Sequence, residues 1–144
     1  MREILFRAQR IKGREWVYGD LLHPDLEAGV GYCIEEIDKD KKNNCPEVDP
    51  ATVGQFTGLC DKNGVRIFEG DVVVCSQHIN GNFVDRLVET GFVEMKVGAF
   101  GLHRRQGYYR PFKDWFDGWE IEVIGNIHTK NDLIEREECK NDRT

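Results

Sequence analysis

Turn signals recur along this chain so often that they limit the length of any element between them. Gly13, Gly19-Asp20, Pro24, Gly29, Asp61-Lys62-Asn63-Gly64, Glu69-Gly70-Asp71, Asn80-Gly81-Asn82 and Asp117-Gly118 divide it into short pieces. Gly and Asn tolerate the positive φ of tight turns, and Asp accepts bonds from nearby backbone N–H groups. Between these clusters the side chains alternate in character. Ile4, Phe6 and Ala8 interleave with Glu3, Leu5 and Arg7. Val93, Met95 and Val97 interleave with Glu94 and Lys96, and Trp119, Ile121 and Val123 with Glu120 and Glu122. A period of two reads as strands, and the last two have one wet face.

The N-terminus therefore predicts a hairpin, with Ile4 and Phe6 inward, a turn at Gly13 and a return over Glu15-Trp16-Val17-Tyr18 that Gly19-Asp20 stops. Further strands are expected at Gly31–Ile34, Thr52–Gly58, Val65–Phe68 and Val72–Cys75. Residues 38–46 carry no aliphatic or aromatic side chain and read as a loop or linker. Thr129-Lys130-Asn131-Asp132 fits a capping box ahead of Leu133–Cys139, which predicts the one helix. Tyr18-Gly19-Asp20-Leu21 echoes Phe68-Glu69-Gly70-Asp71-Val72, but two copies do not make a repeat architecture. The fold class is mainly β (α+β), a small barrel or sandwich. The expected organisation is an N-terminal hairpin region over 1–37, a polar loop over 38–47, a β core over 48–128, and a helix and tail over 129–144.

At 144 residues the chain fits one domain, or at most two small ones. Its 20 basic and 26 acidic residues leave a formal charge of −6, which argues against a general nucleic-acid coat. The longest aliphatic run, Val72-Val73-Val74, falls far short of the roughly 20 residues of a membrane span. Met1–Arg7 shows no secretory apolar segment. The five cysteines, Cys33, Cys45, Cys60, Cys75 and Cys139, include no Cys-x-x-Cys. A reducing cytoplasm with free thiols is the expectation.

Catalytic signatures are missing: there is no phosphate-binding Gly-rich loop, no Gly-x-Ser-x-Gly and no His-Glu-x-x-His. Ser76 is the only serine, and His23, His78, His103 and His128 lie far apart. Cys75 and His78 form half of a zinc-type spacing without a second pair, so Cys75 reads as a buried strand residue. Asp20, Asp61, Asp71, Asp85, Asp114 and Asp117 show no acid–base spacing. No catalytic residue, cofactor or metal is assigned.

The main anomaly is His103–Lys113, which holds Arg104, Arg105, Arg110 and Lys113 and no acid, leaving −6 − 4 = −10 on the remainder. With Tyr108 and Tyr109 it mixes cations and aromatics. That mixture suits an acidic protein partner or single-stranded nucleic acid. In the plainer reading the aromatics tuck into the core and the arginines pair with the molecule's own acids. Trp115-Phe116-Asp117-Gly118-Trp119 reads as a turn held by aromatic burial, with a stacking platform as the sharper alternative.

Three stretches, taken in order, resemble the YopX family of phage and prophage proteins. They are Arg2–Ala8; Val53–Leu59 with Asp61–Gly64 and Ile67–Val73; and Glu122–His128. The resemblance runs from residue 1 to about 134. It implies a protein encoded by a phage or prophage, a β-rich fold, and a middle part like a small SH3-type barrel. It carries no enzymatic activity and no ligand residues to this chain. Thr57, Gly58, Asp61, Gly64, Gly70 and Asp71 are implied to be structural turn positions. The chain departs from the pattern at Cys60, in a longer insert over about 76–92, and in its charged tail. The expected function is that of an accessory protein in the host cytoplasm. It would act by contact with itself and with a phage or host protein. Nucleic-acid binding through 103–113 is the second expectation and an uncharacterised enzyme the third; no membrane association is expected.

Overall fold

The computed structural model describes residues 2–36, 44–79, 82–104, 109–112 and 119–129, with backbone only at 77–79 and 82–87. The chain divides into two compact units, Met1–Gly58 and Leu59–Thr144. Among the described residues no helix is long and apolar enough to cross a membrane.

The first unit is built on β1 (Phe6–Gln9), β2 (Trp16–Leu22), β3 (Cys33–Glu36) and β4 (Gly54–Cys60), which runs on into the second unit. The strands lie in the order β3-β2-β1-β4. Ala8, Val17, Ile34 and Val48 form its core, with Phe6, Leu21, Tyr32 and Val53 packed around them. The predicted β1–β2 hairpin is present, but its inward set differs. Ile4 is 57% exposed, whereas Leu5 and Arg7 are buried. Because β1 is covered on both faces, alternation cannot separate inside from outside there. Gly19 does not stop β2 either. The strand continues to Leu22, and a Cβ at Gly19 would lie 1.9 Å from the Glu35 carbonyl oxygen. That glycine permits close approach of β3, so its echo with the turn residue Gly70 is one of sequence only. A single 3-10 turn, Pro50–Thr52, is capped by Asp49, and its Thr52 hydroxyl accepts from the Gln9 N–H at 2.8 Å.

In the second unit β5 (Arg66–Phe68), β6 (Asp71–Ile79), β7 (Asn82–Lys96), β8 (Ala99–Arg104), β9 (Tyr109–Pro111) and β10 (Trp119–Asn126) follow. A five-stranded antiparallel sheet runs β10-β6-β7-β8-β9. The insert over 76–92 is thus the far part of a long β6–β7 hairpin. On the inner face Ile67, Val73, Cys75, Val93 and Leu102 are fully or almost fully buried, flanked by Phe112, Trp119, Ile121 and Val123. Two strand glycines let neighbouring backbone approach closely: a Cβ at Gly91 would lie 2.2 Å from the His103 carbonyl oxygen, and one at Gly101 2.5 Å from that of Arg110.

The architecture is mainly β, as expected, but the barrel is corrected: two antiparallel sheets form, and no closed barrel among the described residues. β9 has only three residues and ends in Pro111, which has no N–H to donate. The outer edge of β10 is already engaged, as described below. The predicted C-terminal helix over 130–144 and the loop residues 38–43 lie outside the described residues. Residues 44–48 are paired along β3.

Candidate functional site

Alternation along β8 and β9 decides where the basic, aromatic segment points. Leu102 sits opposite Arg110 and His103 opposite Tyr109. Directly paired residues share a face and successive ones alternate. Arg104 and Arg110 therefore lie on the inner face with Leu102, and Tyr109 on the outer face with His103. The three described members of the candidate surface do not form one surface. Arg105, Tyr108 and Lys113 lie outside the described residues, as do Trp115 and Phe116.

Each of the three is engaged within the second unit. Arg104 Nη1 donates to Glu89 Oε1 at 2.8 Å, both side chains being about three-quarters buried. The Arg110 guanidinium lies 5.7 Å from the centre of the Trp119 ring, within cation–π range. The Tyr109 hydroxyl donates to the Ala99 carbonyl, and the Lys96 ammonium lies 5.9 Å from its ring. On the same outer face the His103 ring stacks on Phe92 at 4.7 Å, and its Nδ1 lies 3.1 Å from Glu94 Oε1. The partners Glu89 and Glu94 are invisible to a search confined to 103–113. The signal that could have found Glu94 was its alternation with Val93 and Met95.

Cys75 is fully buried on the inner face, opposite Ile121 on one side and Glu89 on the other. Burial above all, then the Glu89 carboxylate, pushes its thiol pKa far up, against the smaller pull of Arg110. It is a protonated core residue at neutral pH. The side chain of His78 is outside the described set. Among the described residues no three His, Cys, Asp or Glu side chains are grouped to hold a metal ion.

The turn positions carry more geometry than the basic segment does. Gly58, Gly64 and Gly70 have φ of 87°, 81° and 86°, in the left-handed region that favours glycine. Thr57 lies within β4. Asp61 is buried, and its Oδ1 accepts from the N–H groups of Asn63 at 2.8 Å and Val65 at 2.9 Å. Its Oδ2 reaches across to accept from Val123 N–H on β10 at 3.0 Å. Lys62 N–H donates to the Ile121 carbonyl at 2.9 Å. The Asp61–Lys62 turn thus occupies the outer edge of β10 as a further strand would, with a carboxylate in place of a carbonyl. Sheet edges left open invite unwanted strand pairing, and this one is filled. Burial opposes ionisation of Asp61, but the N–H donors of Val123, Val65 and Asn63, with Lys62, outweigh it and hold the carboxyl below its ordinary value.

A second junction forms one turn later. Asp71 is almost fully buried and its Oδ2 accepts from Phe68 N–H at 2.8 Å. Gly70 donates to the Val93 carbonyl at 2.8 Å and accepts from Ile127 N–H at 2.8 Å. Asn126 Oδ1 accepts from His128 and Thr129 N–H. Asp61–Gly64 and Ile67–Val73 thus meet Glu122–His128 within the second unit through backbone hydrogen bonds.

This arrangement describes a mainly β protein of two antiparallel sheets. The profile of the YopX protein family matches residues 5–135, most of the chain. The chain belongs to the YopX family. A search of curated proteins returns no match.

Proposed function

We propose that this chain is a phage- or prophage-encoded accessory protein that works in the host cytoplasm by protein–protein contact, self-association included, rather than by catalysis. Family membership supports the phage assignment. The observation that carries the contact reading is the tip of the β7–β8 hairpin. Lys96 pairs with Ala99, so Val97 and Gly98 form a two-residue loop, and both have positive φ, 52° and 76°. Such loops favour Asn-Gly. A β-branched residue at positive φ is strained, and strain of this kind concentrates at functional sites. Val97 is also 97% exposed, with Met95 beside it at 45%. An apolar residue held out in solvent at a conformational cost suits insertion into a protein partner, with a second copy as the first occupant to test.

The nucleic-acid reading has less support, because Arg104 is held by Glu89 and Arg110 spreads over Trp119.

Light scattering on chromatographed protein over a wide concentration range tests the contact. The mass should rise with concentration, and Val97→Asn should return it to that of the monomer. A parent protein that stays monomeric throughout would overturn self-association.

A further inference from the structure

Two cysteines separated by eleven residues in sequence come together in the first unit. Residues 44–48 run antiparallel to β3 and the residues before it. Ile34 N–H donates to the Pro46 carbonyl at 3.2 Å, Glu36 N–H to that of Asn44 at 3.0 Å, and Val48 N–H to that of Tyr32 at 2.9 Å. Cys33 is bridged to Glu47. Cys45, two residues before Glu47, therefore lies on the same face as Cys33 and diagonally across from it. The Cys33 thiol donates to the Gly31 carbonyl at 3.5 Å. Cys33 is buried and Cys45 exposed, so one of the pair is open to solvent and the other is shielded behind it. Partial burial, and then the neighbouring Cys33, hold the Cys45 thiol above its ordinary pKa, which slows its attack at neutral pH.

We propose that Cys33 and Cys45 form a reversible intramolecular disulfide when a low-molecular-weight disulfide is present as oxidant. Exposed Cys45 gives up its proton, and its thiolate attacks one sulfur of the oxidant. The oxidant's S–S bond breaks, a mixed disulfide forms and one small thiolate leaves. Cys33 then loses its proton and attacks Cys45 Sγ, forming the Sγ–Sγ bond and expelling the second small thiolate. The two released thiolates take up the two protons. The two protein thiols are oxidised and one small disulfide is reduced to two thiols. Diagonal partners in a ladder have Cα atoms about 7–8 Å apart, and a disulfide accepts up to about 6.8 Å, so closure needs an approach of about 1 Å. The cross-link ties the segment that carries the core residue Val48 onto β3. Oxidation therefore resists local opening of the first unit.

The test uses the full chain incubated with oxidised glutathione, quenched by alkylation and mapped by mass spectrometry. The expected result is a linked peptide containing Cys33 and Cys45, joint loss of alkylation at both, reversal by dithiothreitol, and a higher unfolding midpoint for the oxidised form. In Cys33→Ser, Cys45 should stop at the mixed disulfide with glutathione. A mixed disulfide at Cys45 that persists in the parent, or alkylation of both cysteines after incubation, would overturn the proposal. So would linkage of either one to Cys60, Cys75 or Cys139 instead.

Discussion

Asp61 offers the sharpest test of how the second unit is held together. Asp61→Asn preserves size and removes charge. Its amide oxygen can still accept from Asn63 and Val65, which donate to Oδ1 at 2.8 and 2.9 Å. The amide nitrogen then stands where Oδ2 accepts from Val123 N–H at 3.0 Å, and two donors face each other. A hydrogen bond to a charged acceptor contributes about 1.5–3 kcal/mol. The substitution should therefore cost about 2–3 kcal/mol, with the damage at the β10 edge. Asp61→Ala removes all three bonds and should cost about 3–4 kcal/mol, less than three times a single bond, because exposed Asn63 and Val65 can turn to water. Urea unfolding followed by tryptophan fluorescence measures both, as midpoint shifts at constant m. Stability of Asp61→Asn within about 0.5 kcal/mol of the parent would refute the edge-filling role.

The same carboxylate makes this contribution pH-dependent. Its folded pKa is lowered from the ordinary 3.8, burial being outweighed by the backbone donors and Lys62. A depressed folded pKa stabilises the fold fully above the unfolded value, and that stability is lost as pH falls through the folded value. The gap between parent and Asp61→Asn should stay level from neutral pH to about 5 and close below the ordinary carboxylate range. A gap that widens on acidification would show that another group controls the edge.

Two further substitutions test the hairpins. Val97→Asn should raise stability by about 1 kcal/mol, because it relieves a left-handed valine at φ 52°. Calorimetry at a concentration where the parent is monomeric would show the higher midpoint, and a lower one there would contradict the strain assigned to this loop. Gly91→Ala should destabilise by about 2 kcal/mol or more, since its Cβ would meet the backbone oxygen of His103 at 2.2 Å. Unchanged urea unfolding would mean that β7 and β8 do not approach so closely.

What the sequence made legible was the part of the fold written in short-range chemistry. The hairpin at Gly13, the turn at Asp61–Gly64 and the strands around Val93 and Trp119 follow from local turn residues and period two, but Val97, read as part of the apolar alternation, sits in the β7–β8 turn and is 97% exposed. What it hid depends on neighbours distant in the chain. Asp61 reads as a turn residue, yet one of its oxygens serves Val123, 62 positions away. Arg104 reads as an open cation, but Glu89, on the neighbouring strand β7 and 15 positions earlier, pairs with it. Gly19 reads as a stop because nothing local tells a turn glycine from one that makes room for a neighbouring strand. Ile4 reads as inward by alternation with Phe6, yet it lies ahead of β1 and is exposed.

The same distinction separates architecture from function in this family. Asp61 to Val123, Lys62 to Ile121 and Gly70 to Ile127 join the middle family stretch to the late one. In this chain those residues hold one backbone segment of the second unit to another. Recognition has more freedom where these bonds do not reach. The β7–β8 tip is such a place, since Val97 lies 97% exposed and holds an unfavourable backbone angle that asparagine or glycine would relieve. Exposure and an unfavourable angle at one position are the two observations on which the proposed contact at this tip rests.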